Sequence, residues 1–122
     1  MVLLPDLAPR LALRGVLRRS GYAEVLEAHD LVSAQRILGE SRVDLVLTVW
    51  DDGEVSGPEL FRSLRTRGVN RNLPVVLLDL GLPQHQVVAA IKAGVVGKLR
   101  LPTSVEQVRM VLEQQKSHSE SA

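Results

Sequence analysis

The residues best suited to chemistry in this 122-residue chain are four carboxylates that follow short apolar runs: Asp6, Asp51, Asp52 and Asp79. Carboxylates brought together repel and raise one another's pKa unless a cation, Arg or Lys offsets them. Such a rim could hold magnesium or calcium. The competing expectation, which weighs more, is that some of them face water and cap helices. His29, His85 and His118 fall in different elements and lack an i, i+4 partner, so they read as solvated rather than as metal ligands. There is no Cys, which excludes disulfides, thiolate catalysis and Cys-ligated metal centres. Gly94-Val95-Val96-Gly97-Lys98 is too short for a phosphate-binding loop, and Leu99 stands where a magnesium-binding hydroxyl is needed. Ser56 precedes Gly57, but Glu54 occupies the first Gly position of a nucleophile elbow. No catalytic set emerges. The expectation is a protein that is not an enzyme, with no cofactor and no metal assigned.

Basic side chains form two groups: Arg10, Arg14, Arg18 and Arg19, then Arg62, Arg65, Arg67 and Arg71. Either could grip phosphates. With 15 basic against 14 acidic residues, a net charge of +1, solvated faces are the stronger expectation. One Trp, one Tyr and one Phe supply little for stacking on bases, so no nucleic-acid partner is expected. No apolar run nears the ~20 residues of a membrane span. The first residues lack the basic flank and apolar length of a signal peptide. A cytoplasmic protein is the default expectation.

The elements that must position these groups alternate. Short branched runs fall at Val2–Leu4, Ala23–Ala28, Asp44–Val49, Val75–Leu78 and Val95–Arg100. Runs such as Leu45-Val46-Leu47-Thr48-Val49 do not alternate in polarity, which marks strands buried on both faces of a parallel sheet. Amphipathic patterns predict helices near 8–19, 31–39, 57–67, 83–93 and 103–116. Gly21, Gly39 and Gly94 mark helix ends, Pro58 and Pro83 first turns, and Thr103 with Glu106 a capping box. Five βα units give an α/β doubly wound parallel sheet joined by right-handed crossovers. One domain over 1–116 is expected, with 117–122 a polar tail or the start of a linker. In such a sheet, function sits at the carboxyl ends of the strands.

The chain resembles a response-regulator receiver domain, similar to chemotaxis-type single-domain regulators, over residues 1 to 116 without a gap. Gly21-Tyr22, Ala28-x-Asp30, Asp44-Leu45-Val46-Leu47, Gly57-x-Glu59-Leu60, Leu73-Pro74-Val75-Val76, Ala93-Gly94 and Leu101-Pro102 carry the resemblance in register. It implies a flavodoxin-like (βα)5 fold of strand order 2-1-3-4-5. It also implies a decayed phosphorylation site. The phosphoacceptor Asp falls on Val49, the magnesium-binding acid pair on Leu4 and Pro5, and the hydroxyl of the fourth strand on Asp79. The Lys before the cis-type Pro falls on Leu101, and the switch aromatic on Lys98. Phosphoryl transfer to a carboxylate needs the nucleophile, a cation and donors for the phosphoryl oxygens.

The expected function is therefore a signalling protein-interaction module, a pseudo-receiver that acts independently of phosphorylation. Two alternatives stand beside it: an atypical receiver phosphorylated on Asp51 or Asp52, and a small cation or ligand binder using the acidic rim. A protein partner in a signalling pathway is expected, with a homodimer as one form and no membrane. The working surface is expected at the fourth helix, fifth strand and fifth helix, through Lys92, Lys98, Arg100 and Arg109. Simple solvation of those charges is the competing expectation.

Overall fold

Val75-Val76-Leu77-Leu78 can be buried only between two layers, and the structure puts it there. In the computed structural model, backbone is described for residues 1–53, 55–66 and 72–121, and side chains through 114. The elements are β1 (Val2–Leu3), α1 (Leu7–Arg19), β2 (Glu27–Ala28), α2 (Leu31–Glu40) and β3 (Val46–Thr48). Then follow α3 (Gly57–Thr66), β4 (Val75–Asp79), α4 (Gln84–Ala93), β5 (Gly97–Arg100) and α5 (Val105–Ser121). All pairings are parallel, in the order β2-β1-β3-β4-β5. This is the doubly wound, flavodoxin-like arrangement expected from the alternation. Helix α1 packs with α5, and α3 with α4, giving two helical layers. Leu3, Val46, Val75, Val76 and Leu78 in the sheet are essentially inaccessible, as are Leu60 and Leu64 of α3.

The register fixes what meets at the carboxyl ends. Leu3 lies opposite Thr48, and Thr48 opposite Leu77. One residue further along, Leu4, Val49 and Leu78 share a row. The strand order reverses between β1 and β3, so the crevice of this fold opens over Leu4 and Val49.

Several boundaries differ from expectation for local reasons. The second strand keeps only Glu27–Ala28 of the expected Ala23–Ala28. It is an edge strand, and its half-exposed beginning reaches the sheet through Leu26, whose carbonyl accepts from Val2 N. Gly39 lies inside α2, which closes at Ser41. Pro83 precedes α4 as its N-cap residue, whereas Gly94 at φ 119° takes the left-handed C-cap that a side chain would strain. Ser104, not Thr103, caps α5: its hydroxyl accepts from Gln107 N at 3.3 Å. Helix α5 continues past 116 to Ser121, because neither Gly nor Pro interrupts residues 105–121. Arg67, Arg71 and the side chain of His118 lie outside the described residues.

Candidate functional site

The floor of the crevice is apolar. Leu4 and Val49 are 2% and 5% exposed. Thr48 is buried beside them, and its hydroxyl donates to the Val49 carbonyl at 2.7 Å. Trp50 turns inward too, edge-on to Phe61 with ring centroids 5.7 Å apart, while the Arg65 guanidinium lies 5.1 Å over the Phe61 ring. The indole packs against Gly57 at the start of α3, where a Cβ would overlap three of its ring carbons. Gly57 is thus Gly for want of space.

Of the rim carboxylates, three are exposed and one is buried. Asp6 is exposed at the N-cap position of α1 and its side chain makes no capping bond. Asp51 and Asp52 are exposed, Asp51 forms an isolated bridge with Ser56, and Gly53 takes φ 91°. Asp52 accepts from Val55 N at 2.9 Å. Asp79 alone is buried. Its Oδ1 accepts from Gly81 N and Leu82 N, both at 2.8 Å, and its Oδ2 lies 3.5 Å from Lys98 Nζ. The two backbone N–H groups, helped by Lys98, outweigh burial and hold its carboxyl below the usual range. Among the described residues, no three His, Asp or Glu side chains are grouped to hold a metal ion.

A guanidinium stands at the end of β1. Arg10 reaches back from α1 and donates to the carbonyls of Leu4 at 2.8 Å and Pro5 at 3.2 Å. The same guanidinium pairs with Glu27 at 3.1 Å, and Arg14 takes the second Glu27 oxygen at 2.8 Å. The first part of the Arg stripe is thus not the solvated face expected: the Arg10 side chain is only 14% exposed. Burial pushes Glu27 up, but its hydrogen bonds to Arg14 and Arg10 together win and leave it below the ordinary value. Across the crevice, Leu101 lines a groove of about 280 Å³ with Leu80, Pro102 and α1 residues Pro9, Ala12 and Leu13. The Leu101–Pro102 peptide bond is cis.

The deciding observation is a family match over most of the chain: the response regulator receiver domain model covers residues 6–113. The chain belongs to the response regulator receiver family. It is similar to the chemotaxis protein CheY of Pseudomonas aeruginosa, 26% identical over 104 residues, covering 85% of this chain and 84% of that one. The CheY homolog of Campylobacter jejuni is 28% identical over 105 residues, covering 85% and 81%. Among solved structures, a response regulator receiver domain protein from Clostridium thermocellum shares the fold with a TM-score of 0.82 at 20% identity. That match covers 98% of this chain and 94% of the other. The receiver domain of the Pseudomonas aeruginosa sensor histidine kinase PA1611, solved with magnesium in its active-site cleft, gives 0.80 at 20% identity, covering 93% and 92%. This receiver domain is thus a two-component signalling module. No helix among its described residues is long and apolar enough to cross a membrane.

Sequence reading missed two features of this receiver. The Arg10–Glu27–Arg14 cluster joins a helix to a neighbouring strand, and no motif spacing announces it. The Asp79 turn did have a signal, since Asp followed two residues later by Gly favours a side-chain-closed turn. Gly81 adopts φ 109° there.

Both clusters predict acid sensitivity. Glu27 and Asp79 have folded pKa values below their unfolded ones. Their stabilisation is complete above the ordinary carboxylate range and is lost as pH falls through the lower folded values. Urea midpoints should stay flat near neutrality and drop below about pH 4. Glu27→Gln and Asp79→Asn should each flatten that drop. An unchanged acid slope in both would contradict the assignment.

Proposed function

We propose that this receiver domain is a signalling interaction module that works without phosphorylation of its crevice. The observation that carries this reading is the floor formed by Leu4 and Val49, buried, apolar and without a carboxylate. Three arrangements support it. Arg10 already sets a cation against the carbonyls of Leu4 and Pro5. Leu101 has no donor to offer a phosphoryl oxygen. Asp79, at the end of β4, would repel one. A protein of this kind still has its fold to offer a partner.

The surface best suited to a partner is built on α4 and β5. Residues 80–104 contain Lys92, Lys98 and Arg100 and no Asp or Glu. Along β5, Leu99 is buried whereas Lys98 and Arg100 are exposed, so the two cations share the outer face. Val87, Val108 and Leu112 are spent in the core, but Val88, Ile91 and Val96 are 38%, 60% and 42% exposed. Arg109 and Met110 of α5 are exposed as well. The chemistry fits a protein partner that brings acidic side chains around an apolar patch. A second copy of the chain is the alternative occupant.

Exposed ion pairs are worth about 0–1 kcal/mol each, so the apolar contacts must supply the rest. Lys92→Glu with Arg100→Glu should weaken complex formation roughly tenfold or more in a pull-down or self-association assay. Lys98 is left in place, because Glu there would face Asp79. Arg18→Glu with Arg19→Glu, on α1, should change nothing. The opposite pattern would move the working surface to α1.

A further inference from the structure

We propose that Asp79 is a built-in anionic latch: its single carboxylate both orders the turn after β4 and fixes Lys98 on β5, holding the α4–β5 surface in one arrangement. The inference deepens the phosphorylation-independent reading and rests on it. Lys98 is paired across the sheet with Leu77. Asp79, two residues on, is therefore its diagonal neighbour on the same face. From there Oδ1 gathers Gly81 N and Leu82 N, and Oδ2 meets Lys98 Nζ. The backbone of Asp79 is tied in as well, its carbonyl accepting from Leu101 N at 2.8 Å. One side chain, 11% exposed, thus links the end of β4, the entry to α4 and the outer face of β5.

This arrangement has two consequences. Both oxygens are engaged, Oδ1 by two backbone N–H groups and Oδ2 by the lysine, so a cation at Asp79 would compete with Lys98 for Oδ2. The second concerns the partner surface. Leu80, which is 46% exposed, sits inside the latched turn, and Lys98 of β5 stands in sequence between Val96, just before the strand, and Arg100. A surface whose parts are already ordered loses less conformational entropy on binding. The fixed negative charge that orders this turn is supplied by the chain itself.

Three variants separate the parts of the latch. Asp79→Ala removes both functions. Asp79→Asn keeps an oxygen for the turn but drops the charge on Lys98. Lys98→Met keeps the turn bonds alone. Amide hydrogen exchange of Gly81 and Leu82, referenced to Leu78 and Leu99, should accelerate about tenfold or more in Asp79→Ala and stay near wild type in Lys98→Met. Limited acetylation read by peptide mass spectrometry should modify Lys98 more slowly than Lys92 in the wild type. The two rates should converge in Asp79→Asn. Should Asp79→Ala fail to fold, the acetylation comparison decides. Unchanged exchange in a folded Asp79→Ala, or Lys98 reacting as fast in the wild type as in Asp79→Asn, overturns the latch. Neither readout involves phosphorylation, so the latch and the reading it rests on fail separately.

Discussion

Gly57→Ala will cost the domain about 3 kcal/mol and lower its Tm by roughly 10 °C. A Cβ at this position overlaps the Trp50 ring, and that ring cannot swing aside. It is 4% exposed and held edge-on by Phe61, so relief requires moving the start of α3 or the end of β3. Trp50 is the chain's single Trp, which makes its emission a direct reporter of the displacement. Gly53→Ala provides the contrast. It meets no atom within 4 Å, and its cost, about 1 kcal/mol, comes only from φ 91°. Combining Gly57→Ala with Trp50→Leu should recover part of the loss, since the shared clash is gone. Equal, small effects at Gly57 and Gly53 would show that the indole does not fill the space beside Gly57.

Val49→Asp is the second large effect, and it has two parts. The substitution places a carboxylate in the row of Leu4 and Leu78, 5% exposed, with no donor provided for it. The expected loss is about 1–3 kcal/mol, since a polar group is buried unpaired. Burial also raises its pKa, so the acid stays protonated nearer neutral pH and is a poor nucleophile. Chemistry should not return. Leu4 and Pro5 bring no carboxylate for a cation, and Leu101 brings no ammonium for a phosphoryl oxygen. Urea titration measures the stability loss. Stable phosphate incorporation by this single variant would show that the rest of the site is intact.

How much of this was legible in the residues differs from element to element. β4 was plain because Val75-Val76-Leu77-Leu78 is a continuous apolar run between turn signals. Helix α1 was plain because Leu13, Val16 and Leu17 repeat at helical spacing and are all buried. The beginning of the second strand was not. Val25 and Leu26 look strand-forming, yet at a sheet edge half-buried residues need no regular ladder. At the site, position was easier to read than partnership. The carboxyl ends of the strands follow from topology, so Asp6, Asp51, Asp52 and Asp79 could be placed on one rim. Only the structure shows that Asp79 serves its own turn, or that Arg10 folds back onto β1. Those contacts depend on side-chain reach between elements up to 19 residues apart, as Asp79 and Lys98 are. Such pairs leave no periodicity to detect.

The most direct measurement of phosphorylation independence is incubation of the 122-residue chain with acetyl phosphate and magnesium, read by intact mass and by Trp50 emission. The expected result is an unchanged mass and an unmoved spectrum at every time point. A stable phosphoryl adduct mapped to Asp51 or Asp52 would contradict it, and would make this an active receiver with a displaced acceptor.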